Sequence, residues 1–181
     1  LMVVDMPYNS YRNPKEALKN AKMIMSTTKC DAVKLEGGKK IYKIVTTLTK
    51  NKIPVMGHLG LLPQTAKNFK FKGKKIAERK KILDDAKLLQ EAGVFSIVLE
   101  CVESSLAKLI TKTLTIPTIG IGASANCDGQ VLVTDDLLGL NPINVKFIKK
   151  YSNLRKIISV AISKYKREVK NLKFPQKKHS Y

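Results

Sequence analysis

The feature that most constrains the fold is a series of short apolar runs, each followed by a glycine or a turn signal. The runs cover residues 1–4, 32–35, 53–56, 95–99, 116–121 and 131–133. Short, bounded apolar runs are typical of strands that are buried on both faces of a parallel sheet. The segments between them have helical periodicity, so the sequence predicts an α/β protein with alternating strands and helices.

Three of the intervening segments carry helix signals. Asn13 and Pro14 form an N-cap and first-turn pair, which predicts a helix that begins there. A second helix is predicted to end before Gly93, since glycine is favoured just past a helix end. The apolar faces of the three predicted helices consist of Leu18, Ala21, Ile24 and Met25, then Ile82, Ala86 and Leu89, then Leu106, Leu109, Ile110 and Leu114.

A fourth helix near the carboxyl terminus has an apolar stripe opposite a basic face. The stripe consists of Leu154, Ile157, Ile158, Ala161, Ile162 and Tyr165. At this spacing the residues share one side of a helix, and we expect that side to pack on the core. The alternative is a helix that lies on a membrane surface. No apolar run in the sequence reaches the roughly 18 residues of a membrane span.

The chain is predicted to be one domain over residues 1–181, with a helical segment over about 144–181. A (β/α)8 TIM barrel has eight strands and roughly 250 residues, so six strands are too few. An open doubly wound sheet would remove the discrepancy, but the chain opens with Leu1, inside an apolar run. We therefore expect about six of the eight βα units of a barrel, with N-terminal units missing and the segment poorly soluble and inactive alone.

The formal net charge of +20 is concentrated in two segments. Residues 67–81 carry eight Lys or Arg and one acidic residue, and residues 146–181 carry twelve and one. Clustered cations can bind the phosphate backbone of a nucleic acid. We prefer the interpretation that surface positions drifted to lysine in an A+T-rich genome, because the lysines of the predicted helices fall opposite the apolar stripes.

The cysteines indicate a reducing compartment. Cys30, Cys101 and Cys127 are far apart and form no CxxC pair, so neither a disulfide framework nor a zinc site is indicated. The start of the chain lacks the basic flank of a signal peptide. We expect a cytoplasmic protein.

Polar side chains stand at or just after the ends of the apolar runs. They are Asp5, Lys34, Glu36, His58 and Glu100, with Gly120, Gly122 and Ser124 after the fifth run. Because the carboxyl ends of barrel strands converge on one mouth, we expect these residues to lie close together although they are far apart in sequence.

Two of these carboxylates are candidate metal ligands. Asp5 and Glu36 supply oxygen atoms from different strands, which suits Mg²⁺. Lys34 lies two residues before Glu36, hence on the same side of the strand, where an ammonium group could hold an anionic substrate. The alternatives are a helix or turn cap for Asp5 and a surface salt bridge between Lys34 and Glu36.

His58 and Glu100 are candidates for the chemical step. His58 could donate a hydrogen bond to a developing oxyanion. Glu100 ends an apolar strand and could act as a general base. A lone histidine is more often structural, however, and Glu100 could instead cap the helix that follows it, so the residues alone leave these alternatives open.

Six motifs resemble the signatures of the ketopantoate hydroxymethyltransferase family, in the family's order and spacing. They are DMPY from Asp5, VKLEGG from Val33, GHLGLLPQ over 57–64, VLECV over 98–102, IPTIGIGA over 116–123 and CDGQVLVTDDLLG over 127–139. The resemblance covers the whole chain. It departs from the usual pattern at Ser124, where the family has a glycine, and at Lys74, where it often has arginine.

The resemblance implies a (β/α)8 barrel of the phosphoenolpyruvate/pyruvate type, Mg²⁺, and a homo-oligomer, commonly a decamer. It implies hydroxymethyl transfer from 5,10-methylenetetrahydrofolate to 2-oxoisovalerate, giving 2-dehydropantoate for pantothenate synthesis. By resemblance, Asp5 and Glu36 match metal ligands, Lys34 a substrate-binding lysine and Glu100 the proton acceptor, while Asp5 and His58 are also expected to contact substrate. The family's other metal-binding aspartate has no counterpart in these residues. The alternatives are a 2-oxo-acid lyase of the same superfamily and an inactive basic fragment that binds nucleic acid.

Overall fold

A computed structural model describes residues 1–66 and 70–181, and its strands form one parallel sheet. Residues 67–69, the start of the basic run, lie outside the described part. The sheet order is the sequence order, and each neighbouring pair is parallel. The strands are β1 (Val3–Asp5), β2 (Ala32–Glu36), β3 (Val55–Gly60), β4 (Ser96–Glu100), β5 (Thr118–Ile121) and β6 (Gly129–Gln130).

Helices follow each of the first four strands, and two more lie after β6. They are α1 (Pro14–Thr28), α2 (Tyr42–Lys50), α3 (Ile76–Glu91), α4 (Ser104–Thr113), α5 (Thr134–Leu137) and α6 (Leu154–Lys170), with 3₁₀ turns at Lys39–Ile41 and Lys177–His179. The predicted start of α1 is confirmed, since the Asn13 side chain accepts a hydrogen bond from the Glu16 N–H at 3.0 Å. Helix α2 had no sequence prediction, because its valine and threonines favour strands as readily as helices.

The strand order distinguishes a barrel from a doubly wound sheet. A doubly wound sheet reverses its strand order part-way, which places helices on both faces. Sequential order with right-handed crossovers instead places the connecting helices on one face of the sheet. The six strands therefore form a partial (β/α)8 barrel, as the sequence predicted.

Two predicted strands differ from the structure by more than two residues at an end or in position. The third strand covers Val55–Gly60 rather than residues 53–56. The predicted strand over 131–133 is wrong, because β6 pairs through Gly129 and Gln130, opposite Ile119 and Gly120 of β5. The apolar run there consists largely of side chains that are half exposed, so its hydrophobicity reflected neither burial nor strand pairing.

The core of residues 1–131 lies where the sheet packs against its helices. Its largest fully buried side chains include Leu35, Leu48, Leu89, Ile97, Leu99, Leu106 and Ile110. These come from both strands and helices, so the packing fixes the strand ends that carry the candidate site.

Residues 132–181 form a second compact unit that contains α5 and α6. None of the residues of α6 is buried by the part of the chain that the structure describes. Within residues 132–181 the apolar stripe is therefore left exposed, contrary to the prediction of a buried face. All of residues 132–181 are described and they contain no strand, so this unit has no sheet on which a helix could pack. Among the described residues, no helix is both long enough and apolar enough to cross a bilayer.

Candidate active site at the carboxyl ends of the strands

The predicted site residues lie at one edge of the sheet. Asp5, Glu36 and Glu100 are the last residues of β1, β2 and β4. The register pairs Asp5 with Lys34 and Glu36 with His58. Because all the strands are parallel, these residues share the same end, as the sequence predicted.

Lys34 lies between two of the other predicted residues. Its ammonium nitrogen is 2.5 Å from Asp5 Oδ1 and 3.1 Å from His58 Nδ1. A lysine ammonium group has only donors, so His58 Nδ1 must be the acceptor in this contact. The proton of a neutral His58 is therefore on Nε2.

The other ring nitrogen of His58 faces Glu100. His58 Nε2 lies 2.9 Å from the Leu61 carbonyl oxygen and 3.3 Å from Glu100 Oε2. The imidazole ring is buried, and each nitrogen has a protein partner. His58 thus connects Lys34 to Glu100 in a continuous polar chain that starts at Asp5.

Glu36 is a buried carboxylate beside this chain. Its Oε2 accepts a hydrogen bond from the Gln64 backbone N–H at 3.1 Å. The pKa of Glu36 is raised, chiefly because the carboxyl is buried, although the Gln64 hydrogen bond and the nearby Lys34 ammonium group lower it. The negative charge of Asp5 raises it further, so the two carboxylates are close enough to repel each other. A bound cation would relieve both the burial cost and this repulsion.

Gln64 is a site residue that sequence reasoning did not single out. Its side-chain nitrogen donates to the Met6 carbonyl at 3.0 Å, and its side-chain oxygen accepts from the Tyr11 hydroxyl at 3.0 Å. Together with its N–H bond to Glu36, these contacts tie the loop after β3 to the ends of β1 and β2. The residue ends the GHLGLLPQ motif, which was the only signal that could have identified it.

The ends of β3 and β4 approach closely next to Glu100. The Leu61 N–H donates to the Glu100 carbonyl at 2.8 Å. A Cβ atom at Gly60 would lie 2.2 Å from that carbonyl oxygen, and Gly60 has a φ of +96°. Both observations require glycine at this position, which explains the second glycine of the motif.

Ser124 does not join this group of residues. It is buried, and its hydroxyl accepts hydrogen bonds from the Asn126 N–H at 3.2 Å and the Ser104 hydroxyl at 3.3 Å. These contacts fix the loop after β5, so the serine that departs from the family pattern is accommodated as a structural residue.

The candidate donors for a metal are the carboxylates of Asp5 and Glu36. Within residues 1–66 and 70–181, no group of three or more His, Cys, Asp or Glu side chains is arranged to hold an ion. Asp5 and Glu36 nevertheless come from adjacent strands and interact electrostatically. Mg²⁺ is commonly held by one or two carboxylates, with water or substrate oxygens in the remaining positions, so this pair fits it.

Comparison with known proteins shows what the chain is similar to. The family model for ketopantoate hydroxymethyltransferase matches residues 1–177. The chain is 72% identical over 181 residues to a 3-methyl-2-oxobutanoate hydroxymethyltransferase of Pelagibacter ubique, which covers all of this chain and 70% of the relative. A protein of the same name from Syntrophus aciditrophicus is 48% identical, with 100% of this chain and 68% of the relative covered. Among solved structures, a dihydrodipicolinate synthase of Agrobacterium tumefaciens matches 77% of this chain and 50% of its own at 13% identity and a TM-score of 0.47.

Proposed function

The chain belongs to the ketopantoate hydroxymethyltransferase family, and we propose that it transfers a hydroxymethyl group from 5,10-methylenetetrahydrofolate to 2-oxoisovalerate. The product is 2-dehydropantoate, a precursor in pantothenate biosynthesis. The family match and the names of the relatives support this activity. They do not support the alternative of a 2-oxo-acid lyase.

The reaction forms one carbon–carbon and one carbon–oxygen bond, and it breaks the C3–H bond of the oxo acid and two carbon–nitrogen bonds of the folate. A base removes the C3 proton of 2-oxoisovalerate, and the enolate carbon attacks the one-carbon unit of the folate. Water then supplies the hydroxyl oxygen, and tetrahydrofolate leaves with both of its N–H bonds restored. The protein must therefore supply a base near C3 and positive charge near the enolate oxygen.

Glu100 is the base in this proposal. Its carboxylate is mostly buried at the end of β4, and Oε2 is 3.3 Å from His58 Nε2, whose hydrogen bond goes to the Leu61 carbonyl. Because no described side chain donates a hydrogen bond to it, the carboxylate stays available to accept the C3 proton. Water is largely excluded from the group, which strengthens its interaction with a positioned substrate.

Lys34 supplies the positive charge. Its ammonium group has three donors, two of which face Asp5 and His58. Among the residues that the structure describes, the third donor has no acceptor, so it can bind a carboxylate or enolate oxygen of the oxo acid. The predicted substrate contact of His58 stays a prediction, and its hydrogen bonds with Lys34 and the Leu61 carbonyl favour a role in orienting Lys34.

Asp5 and Glu36 are the residues that would hold Mg²⁺. When bound, the ion supplies Lewis-acid polarisation of the oxo acid, which makes the C3 proton more acidic. Asp5 is half exposed at the mouth, whereas Glu36 is buried and fixed by Gln64. Glu36 would therefore fix the position of the ion, and the more exposed Asp5 would adapt to it.

The nucleic-acid alternative is not favoured by the basic run. Three of its cations already face carboxylates at 2.5–2.8 Å: Arg79 with Glu103, Lys80 with Asp84 and Lys81 with Asp85. Such pairing lowers the positive charge that is available to a phosphate backbone.

The assembly and location are further parts of the proposal. A homo-oligomer, commonly a decamer in the family, is supported by the resemblance of the whole chain. A cytoplasmic location is supported by three cysteines that are all free and buried.

The observation that carries the proposal is the polar chain from Asp5 through Lys34 and His58 to Glu100. It is tested by deuterium exchange at C3 of 2-oxoisovalerate in the absence of folate, which isolates the proton-transfer step. Glu100→Gln should slow Mg²⁺-dependent exchange by about 10²–10⁴-fold, because the base is lost while the shape is kept.

Glu91→Gln is the matched control for this experiment, because it neutralises an exposed carboxylate at the end of α3. It should exchange at the wild-type rate. If Glu100→Gln exchanges as fast as the wild-type protein, the assignment of the base is wrong.

A further inference from the structure

Helix α3 buries a carboxylate that the proposed mechanism does not use. Asp85 is 4% exposed, and its Oδ1 accepts a hydrogen bond from the Lys39 backbone N–H at 2.8 Å. Its Oδ2 accepts one from Lys81 Nζ at 2.7 Å. A buried carboxylate is costly unless it is hydrogen-bonded, so these two contacts define where the group can lie.

The carboxylate of Asp85 fills the space beside Gly38. A Cβ atom at Gly38 would lie 2.1 Å from Asp85 Cγ, closer than any nonbonded contact allows. The missing side chain at position 38 and the carboxylate from α3 are therefore complementary in shape. This complementarity explains why the second glycine of VKLEGG is required.

The turn held in this way directly follows Glu36. At its first residue, the Gly37 N–H donates to the His58 carbonyl of β3 at 3.1 Å, with Gly37 at a φ of +133°. At its other end, the Lys39 N–H is bound by Asp85. The backbone that leaves Glu36 is thus fixed by β3 on one side and by α3 on the other.

We propose that Asp85 is a positioning residue that sets the direction of Glu36 towards the metal through the Gly37–Gly38 turn. This inference rests on the proposed function, in which Glu36 is a metal ligand. Asp85 acts through the backbone of the turn and contacts neither the ion nor the substrate. Removing its carboxylate leaves the Lys39 N–H without its acceptor, and the turn must rearrange to satisfy it.

The neighbouring residue supplies a matched comparison. Asp84 is also an aspartate of α3 and pairs with a lysine four residues earlier, with Lys80 Nζ at 2.8 Å. Its side chain is 48% exposed, and among the described contacts its carboxylate binds no backbone group. Both aspartates pair with a lysine, but only Asp85 contacts the turn. If removing Asp85 weakens metal binding more than removing Asp84, the difference reports the contact with the turn.

The test measures Mn²⁺ binding by the full-length gene product, using the electron paramagnetic resonance signal of the free ion. Asp85→Ala should weaken Mn²⁺ binding by about tenfold or more, the range typical for residues that orient metal ligands. Asp84→Ala should stay within about twofold, since exposed ion pairs contribute little. Asp85→Asn keeps an oxygen acceptor for Lys39 and should recover most of the affinity.

If the role of Asp85 is purely structural, Asp85→Ala will have a lower melting temperature but the same Mn²⁺ affinity as Asp84→Ala. That result would overturn the proposal. If Asp85→Ala is insoluble, Mn²⁺ binding by Gly38→Ala tests the proposal instead, because the added methyl group displaces the same carboxylate. Weakened Mn²⁺ binding in Gly38→Ala supports the proposal, and unchanged binding overturns it. If the wild-type protein neither binds Mn²⁺ nor catalyses C3 exchange, the result contradicts the proposed function rather than the role of Asp85.

Discussion

Helices α3 and α6 have comparable lengths and carry apolar residues at helical spacing, yet only one of them has a buried face. Helix α3 buries Ile82, Asp85, Ala86 and Leu89. Helix α6 has a cleaner separation of apolar and basic residues but no buried position within the described chain. An apolar stripe therefore identifies the side of a helix that could be buried, while its partner decides whether it is buried.

The partner of α3 is the sheet. Leu89 Cδ1 lies 3.0 Å from where a Cβ atom of Gly57 would stand, so the leucine packs directly on the backbone of β3. Strand β3 also carries His58. The packing that stabilises α3 thus lies on the reverse side of the strand that positions the candidate site.

The largest effect that we predict concerns this contact. Leu89→Ala should lower the free energy of unfolding by about 2–5 kcal/mol, because it leaves a cavity in a fully packed core. Leu109→Ala in α4 is the control. Because Leu109 is 45% exposed, this substitution should lower the free energy of unfolding far less. Urea denaturation followed by circular dichroism measures both. If the two substitutions lower the free energy of unfolding equally, the burial of Leu89 in α3 does not make it more important for stability than an exposed leucine.

A second prediction concerns the start of α3, which is linked to α4 through Arg79 and Glu103. Hydrogen bonds from Ser105, and then from Arg79, lower the pKa of Glu103 to about 2 from its ordinary value of 4.5. The folded-state pKa is the lower one, so the stabilisation is complete above the unfolded-state value and is lost as the pH falls towards about 2. Glu103→Gln should therefore destabilise the protein by about 1 kcal/mol at neutral pH, since the N-cap of α4 is weakened.

The cap of α6 is the control for this pH dependence. Asn153 accepts a hydrogen bond from the Lys156 N–H at 3.2 Å and carries no charge. The destabilisation by Asn153→Ala should be the same at pH 7 and pH 3, whereas that of Glu103→Gln should shrink over this interval. A pH-independent effect of Glu103→Gln would contradict the depressed pKa.

Much of the fold was predictable because βα alternation has strong local signals. Asn13 and Gly93 marked helix boundaries, and short apolar runs marked five of the six strands. The sixth strand was misplaced because a two-residue parallel strand is defined by backbone pairing, which leaves no side-chain period. The exposure of α6 was not predictable, since a stripe contains no information about its partner.

The candidate site was predictable where residues follow strands. Asp5, Lys34, Glu36, His58 and Glu100 were found because parallel strands bring their ends together. Gln64 and Asp85 were missed for different physical reasons. Gln64 acts from a loop, where no periodicity predicts contacts, and Asp85 looks like an ordinary surface ion pair with Lys81 until the turn beside Gly38 is in place.

The smallest effect that we predict lies in α6. Ile162 is 60% exposed, so Ile162→Ser removes little buried surface, and the two residues have similar helix propensities. The free energy of unfolding should change by less than about 0.5 kcal/mol, as for other surface positions. Ile110→Ser in α4 is the control, because Ile110 is fully buried and its loss should cost about 2–5 kcal/mol. Both variants are measured by urea denaturation at several protein concentrations.

A loss above about 1 kcal/mol for Ile162→Ser that grows with protein concentration would mean that another chain covers the stripe of α6 in solution, since association stabilises by mass action. In that case the contrast between α3 and α6 would lie in which partner buries each helix, rather than in whether it is buried.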